Sequence, residues 1–349
     1  GTGALGGGAK DNGNDGVVLE KDVQITSVDG DIIVDATAGN GGTKHIGFKS
    51  SKNSLIAASG MGNITVNATA GQSKAGGEGI SISVGAAIQT NSGDLSLTGT
   101  GGQNGKSNEG LLIKGGAVTS SSGNLILTGN GGQGGTSSST GVYIYSSSTV
   151  STGGTGHIQI DGVGGEGKAS QGIELNSATV TANDDATITL VGTGGPGSRS
   201  NEGVIIKRTT ITTGTGDFSA TGVGGDGGSS SEGIFINEST VTSSGGGNLT
   251  FTGSGGQNGA SSSGVSISRS SSISTGGTGH IQIDGAGGDG TVSDNNNSQG
   301  IDLNVATITA ADDATITLVG TGGAGGKSNI GILVFNTTTI ESQNGDISL

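Results

Sequence analysis

Three short motifs follow one another in fixed order along the 349 residues, and each returns at a mean spacing of 31.5 residues. The first, [S/T]-G-[D/N]-apolar-x-apolar-T-G-x-G-G, is clearest at Ser92–Gly102 and Ser122–Gly132. Its leading apolar residue falls at Ile32, Ile64, Leu95, Leu125, Ile158, Ile188, Phe218, Leu249, Ile281, Ile316 and Ile347. The second, Gly followed by apolar-x-apolar, begins its pair at Val17, Ile46, Ile80, Leu111, Val142, Ile173, Val204, Ile234, Val265, Ile301 and Ile332. The third, commonly [S/T]-[V/I]-[S/T], is centred on Ile25, Ile56, Ile88, Val118, Val150, Val180, Ile211, Val241, Ile273, Ile308 and Ile340.

Each motif is a few residues of apolar/polar alternation rich in Ile, Val and Thr, the pattern of a short strand with one buried face. A helix is excluded because Gly, Ser and Thr fill the intervals and no i, i+3, i+4 apolar stripe persists. The period therefore predicts an all-β fold: a right-handed parallel β-helix (β-solenoid) with three strands per coil and about 31 residues per coil, like strands pairing between coils at about 4.8 Å. The expected organisation is one solenoid over residues 1–349 of about eleven coils, roughly 50 Å long. Residues 1–28 form a partial first coil in this reading, and 344–349 the first strand of a further one.

Composition alone points toward disorder, with 78 Gly, one Pro and only 74 Leu, Ile, Val and Phe residues. The periodicity reverses that inference, because 54 of those 74 lie in the three columns. A core one coil thick needs no more, and Gly marks the corners between its faces. The formal charge of −14 opposes nucleic acid and anionic membranes, and no apolar run is long enough to span a bilayer as a helix. Neither nucleic-acid binding nor membrane insertion by this segment is expected. The absence of Cys removes disulfides and thiolate metal sites.

The connection from second to third strand is short and nearly constant, whereas that from first to second runs from Leu97 to Leu111 in one coil and from Ile283 to Ile301 in another. Insertions thus collect at one Gly-rich corner, such as Gly131, Gly132, Gly134 and Gly135, where the alternative function, a carbohydrate- or surface-binding module, would sit; a solvated turn that accepts drift explains the same variation. A longer period overlies the short one. TGHIQIDGVGGEG from Thr155 returns from Thr278 as TGHIQIDGAGGDG, and DDATITLVGTGGPG from Asp184 returns from Asp312 as DDATITLVGTGGAG. A block of four coils was copied, which points to selection on length more than on any single residue. No polar cap is visible at either end, and NGDISL reads on into GTGALGGG much as the internal SGDLSLTGTGG does. The partner expected from this is the chain itself, end to end through uncapped terminal coils.

No residue earns a catalytic or cofactor-binding role, and the chain is expected not to be an enzyme. Asp184 with Asp185, their copies Asp312 with Asp313, and the paired His157 and His280 all fall at turn positions, while Arg208 and Arg269 are isolated. Calcium is the one cofactor the composition admits, with Asp161, Glu166, Asp284 and Asp289 as weak metal candidates in acidic Gly-rich turns. Most coils carry Gln, Gly or Pro where Glu166 stands, so a calcium-dependent fold is not expected. The Thr/Ser pairs of the third motif, such as Thr179 with Thr181 and Thr210 with Thr212, form an outward Thr-x-Thr array of the kind an ice-binding rod presents. Thr as an ordinary strand residue explains the same array. The sequons at Asn63, Asn67, Asn237, Asn248 and Asn336 are about as many as chance supplies in such a chain.

The succession [S/T]G[D/N]LxLTGxGGxG, GVxI, STVTSxxG, as in Ser122–Gly153, resembles the Gly/Ser/Thr-rich arrays of filamentous-haemagglutinin-like large bacterial exoproteins. The resemblance covers nearly the whole chain. It implies a secreted or surface-tethered β-helical fibre, extracellular or on the cell surface, serving adhesion, aggregation or matrix formation, with cell-surface or matrix glycans as further partners.

Overall fold

The computed structural model describes residues 13–227, 230–258, 262–289, 298–324 and 329–349. The opening Gly1–Gly8 segment and part of the longest corner, 290–297, lie outside the described residues. Apolar residues at alternate positions make each motif a strand whose inward side chains vanish from solvent. Val17–Leu19, Gln24–Ser27 and Ile32–Thr37 are the first three strands, and the same trio recurs to Ile332–Phe335, Thr339–Ser342 and Ile347–Ser348. Among the described residues the fold is all-β, with no helix.

Every strand pairs in parallel with its counterpart in the neighbouring coils. The first motif builds an eleven-stranded ladder in which Leu95, Leu125, Ile158 and Ile188 stand in one column. The second and third motifs each build a ladder of their own, and these join into one sheet where Val265–Thr275 and Ile301–Ala310 run continuously round the corner between them. Eleven rungs, ten stacking steps apart, make the rod. One register differs from the sequence reading: Val17 pairs with Phe48, not Ile46, because the strand opens at Phe48, after Gly47, and leaves Ile46 in the turn. Phe48 is fully buried and Ile46 nearly so, in the turn just before it.

One core cluster threads the interior from Leu19 to Leu318. Neighbouring coils compensate one another in volume: Ala220 stands beside Phe251 in the ladder, and Phe251 packs at 5.3 Å from Phe218. Corners are lined inside by hydroxyls that bind backbone groups of the adjacent coil. Ser239 Oγ donates to the Asn237 and Ile206 carbonyls and accepts the Thr209 N–H, and Ser148, Ser271 and Thr338 sit at the same place.

The turn outside those hydroxyls passes through the left-handed region in all eleven coils, yet only Gly85 and Gly115 are glycines. Ser177, Arg208, Glu238, Val305 and Asn336 hold φ between +47° and +57°. For β-branched Val305 this is a strained position. Gly is required elsewhere, where backbones touch: a Cβ on Gly192, at the end of a first strand, would overlap the carbonyl oxygen of Gly203 at the start of the following second strand. Gly192→Ala is therefore expected to lower stability by about 1–3 kcal/mol. Val305→Gly should instead raise it by up to about 1 kcal/mol, strain relief exceeding the entropy of Gly. Thermal unfolding followed by circular dichroism checks both signs.

Candidate functional site

The three outward faces differ in chemistry. On the first face the Asp or Asn before a leading apolar position accepts a hydrogen bond from the next coil, as Asp31, Asn63, Asp94, Asn124, Asp217 and Asn248 do. Asn124 donates from its backbone N–H and side-chain amide to Asp94 Oδ1, both at 2.9 Å, and Asn124 Oδ1 accepts the His157 N–H at 3.0 Å. The order repeats one block on, where Asp217 Oδ1 accepts the Asn248 N–H at 2.7 Å and Asn248 Oδ1 accepts the His280 N–H at 3.0 Å. His157 and His280 thus stand on a strand, not in isolated turns, and each belongs to a relay. Gln159 Nε2 donates to Asp161 Oδ1 at 2.7 Å, which leaves Gln159 Oε1 to accept from His157 Nε2 at 3.1 Å. His157 Nδ1 then accepts from Thr187 Oγ1 at 2.6 Å. The Thr187–His157–Gln159–Asp161 order is copied at Thr315, His280, Gln282 and Asp284.

The other acids serve turns. Asp184 Oδ2 accepts the Gly154 N–H and Asp312 Oδ2 the Gly277 N–H, while Asp185 receives the Thr215 hydroxyl and Asp313 the Asn344 amide. Of the calcium candidates, Glu166 accepts the Gly134 N–H at 3.1 Å and Asp289 the Ala324 N–H at 2.8 Å, each bound to a neighbouring coil. Asp161 and Asp284 are engaged by Gln159 and Gln282. Among the described residues no three His, Cys, Asp or Glu side chains come together in a metal-holding group. Arg208 reaches Asn176 Oδ1, and Arg269 lies 3.7 Å from Glu238.

The second face carries the outward apolar side chains Leu112, Tyr143 and Phe235, with Tyr143 stacked on Tyr145 at 4.3 Å and Lys114 Nζ 5.5 Å from the Tyr145 ring. The third face is the hydroxyl array. Thr149, Thr179, Thr210, Thr240, Ser272 and Thr307 stack in one column, with a Ser or Thr two residues along each strand.

Sequence reasoning missed a buried polar column beside the long corner. The residue preceding the Gly of the second motif is Glu78, Glu109, Thr140, Gln171, Glu202, Glu232, Ser263 and Gln299 in successive coils, and each of its carbonyls from Glu109 onward accepts the N–H of that Gly in the coil before. Thr140 donates to Gln171 Oε1 at 3.0 Å, and Gln171 Nε2 lies 3.4 Å from Glu202 Oε2. Burial, then the neighbouring Glu78, pushes Glu109 up to about 7. Burial and the neighbouring Glu232 push Glu202 up to about 8, and burial carries Glu232 to about 7. Lys44, 2.7 Å away, pairs with Glu78. The available signal was the recurrence of Glu or Gln at one position of the period, masked by its place in a polar loop.

These features define a class, a parallel β-solenoid repeat protein built on an extended polar core margin and three unlike faces. No family model, no curated protein and no solved structure matches the chain.

The buried carboxyls give the rod a pH dependence of definite sign. Their folded pKa values lie above the ordinary value near 4.3, so between pH 4.5 and 8 the folded chain holds more protons than the unfolded one and stability falls as pH rises. Melting temperature is expected to be higher at pH 4.5 than at pH 8. Glu202→Gln with Glu232→Gln should flatten that slope, and an unchanged slope would remove these residues from the account.

Proposed function

We propose that this chain is an extracellular structural and adhesive rod, part of a long surface fibre whose work is reach, rigidity and the presentation of its faces. The observation that carries this reading is register. Three parallel ladders stay in step over eleven rungs while the long corner varies in length around them. A coil-on-coil stack of that kind is stiff along its axis and lengthens by adding coils. The hydroxyl-rich, acidic exterior and the likeness to filamentous-haemagglutinin arrays support a surface location. On the last rung Ile332 and Ile340 are only partly buried and Ile347 is 43 % exposed, and Val17 and Ile25 on the first rung are partly buried too, although these columns are buried on the rungs between. In this reading that surface receives a further coil, from continuing chain or a second copy. Negative-stain microscopy of the purified chain is expected to show end-to-end filaments that thin out when Ile332→Asp and Ile340→Asp are introduced. Uniform rods of single-chain length at all concentrations would sink the end-to-end proposal.

A second reading has one observation in its favour. The Thr/Ser pairs form an unbroken lattice over six coils, from Thr149 and Ser151 to Thr307 and Thr309, now including Ser272 and Ser274. Such a lattice suits ice. Thermal hysteresis, abolished by Thr210→Tyr, is the expected outcome; freezing behaviour matching that of an inert protein rejects it.

A further inference from the structure

The duplicated block supplies an internal comparison: two copies of the same age, each face having drifted as far as its constraints allowed. One copy has its first-face strands at Leu95, Leu125, Ile158 and Ile188, the other at Phe218, Leu249, Ile281 and Ile316. Stability should hold the inward positions first, since most surface substitutions change it by no more than about 0.5 kcal/mol. Of the twenty inward positions thirteen are identical between the copies. Outward positions of the second face agree at one of eight, Asn176 with Asn304, and of the third face at four of eight. The first face reverses the expectation. Its three outward ranks agree at eleven of twelve positions, more closely than the core beneath them, with Ile126 against Thr250 the single difference.

One of those ranks has a structural reason between coils, the Asp, Asn and His that accept or donate there, and in the other two Gln159 with Asp161 and Gln282 with Asp284 bond along their own strands. The other two ranks still agree at seven of eight, including an exposed valine, Val191 and Val319. The next outward position along each strand, at the mouth of the long corner, agrees at one of four, so the retained patch has an edge. Asp346 and Ser348 begin the same pattern a third time.

We infer that the outward face of the first ladder is a binding surface and that its occupant is a neutral polysaccharide. This deepens the adhesive reading and rests on it for context, but it concerns a face of the rod rather than its ends. None of the positions is buried, and the two copies hold Asp and His but no Lys, Arg or Glu, so an anionic ligand finds no counter-charge. Protein partners want apolar or aromatic anchors, and the face offers one valine per block besides Ile126. A small metabolite wants a concave site, and this is an open sheet. A second rod would bring acid against acid in a chain of charge −14. What remains is a polymer of hydroxyls. The ordered row His157, Gln159 and Asp161, flanked by Thr128 and Thr189, sets imidazole, amide, carboxylate and hydroxyl groups side by side to pair with them. The row returns at His280 four coils on, about 19 Å along the axis at the strand spacing, so one polymer chain engages both copies.

Affinity electrophoresis through gels holding β-glucan, mannan or galactan tests this, with dextran sulfate as the anionic comparator. At least one neutral polysaccharide is expected to retard the rod. Gln159→Ala alone should weaken retardation about tenfold through lost bivalency, and adding Gln282→Ala should abolish it. Leu112→Ser with Tyr143→Ser, on the second face, should leave it unchanged, circular dichroism confirming the fold throughout. The inference is overturned if no neutral polysaccharide binds, if the Gln double variant binds like the parent, or if only dextran sulfate retards. Sedimentation showing rods that self-associate through the Gln positions would also overturn it, in favour of a second copy. Filament formation is read separately by microscopy, so loss of fibres with binding intact removes only the fibre reading.

Discussion

Parallel pairing of each strand with the same strand one coil away is the interaction on which everything else here depends. It places every side chain about 4.8 Å from its own counterparts in the coils before and after. The molecule is therefore organised by column more than by contact between distant parts of the chain. A residue type that tolerates its own company is cheap to repeat, and one that does not must be interrupted. Aliphatic columns pack on themselves, which is why five inward positions per coil hold the structure with so little apolar material. Hydroxyl columns at the corners do as well, because Ser and Thr both donate and accept, as Ser239 does toward two carbonyls and one N–H.

Carboxylates are the difficult case, and the column beside the long corner shows how the rod accommodates them. Glu78 and Glu109 are adjacent, then Thr140 and Gln171 intervene before Glu202 and Glu232. Lys44 neutralises the first of these acids. Glu109, Glu202 and Glu232, which form no ion pair among the described residues, hold their protons to near neutrality instead. Burial is the main reason, with the stacked neighbours Glu78 and Glu232 adding to it at Glu109 and Glu202.

The period, the three strands and nearly all inward residues were legible in the sequence, because alternation at a fixed spacing is set by the same pairing that builds the fold. Three things were not. Ile46 for Phe48 was an error of register: two apolar residues flank Gly47, and only the neighbouring coils decide which of them enters the ladder. The left-handed turn was hidden because Arg208, Glu238 and Val305 carry no signal for positive φ; at Arg208 and Glu238 the inner hydroxyls of Thr209 and Ser239 bind the turn's own carbonyls, and behind Val305 the Ala306 N–H donates to Thr338 of the next coil. The buried glutamates were hidden because a polar residue in a Gly-rich loop reads as solvated until the next coil covers it.

Copying four coils as a block looked, in the sequence, like selection for length. For the second face that account is sufficient: Leu112, Tyr143 and Glu174 became Phe235, Ser266 and Asp302, changes that keep a rod a rod. Length cannot explain the first face, where Leu95 and Leu97 in the core gave way to Phe218 and Ala220 while Asp94, Ser96 and Thr98 above them stayed as Asp217, Ser219 and Thr221. A swap of core volumes beneath an unchanged surface inverts the order in which stability alone would preserve residues. Some constraint acting from outside the rod on that one face restores the order, and the rod's stiffness is what keeps successive copies of the face at a constant spacing for whatever imposes it.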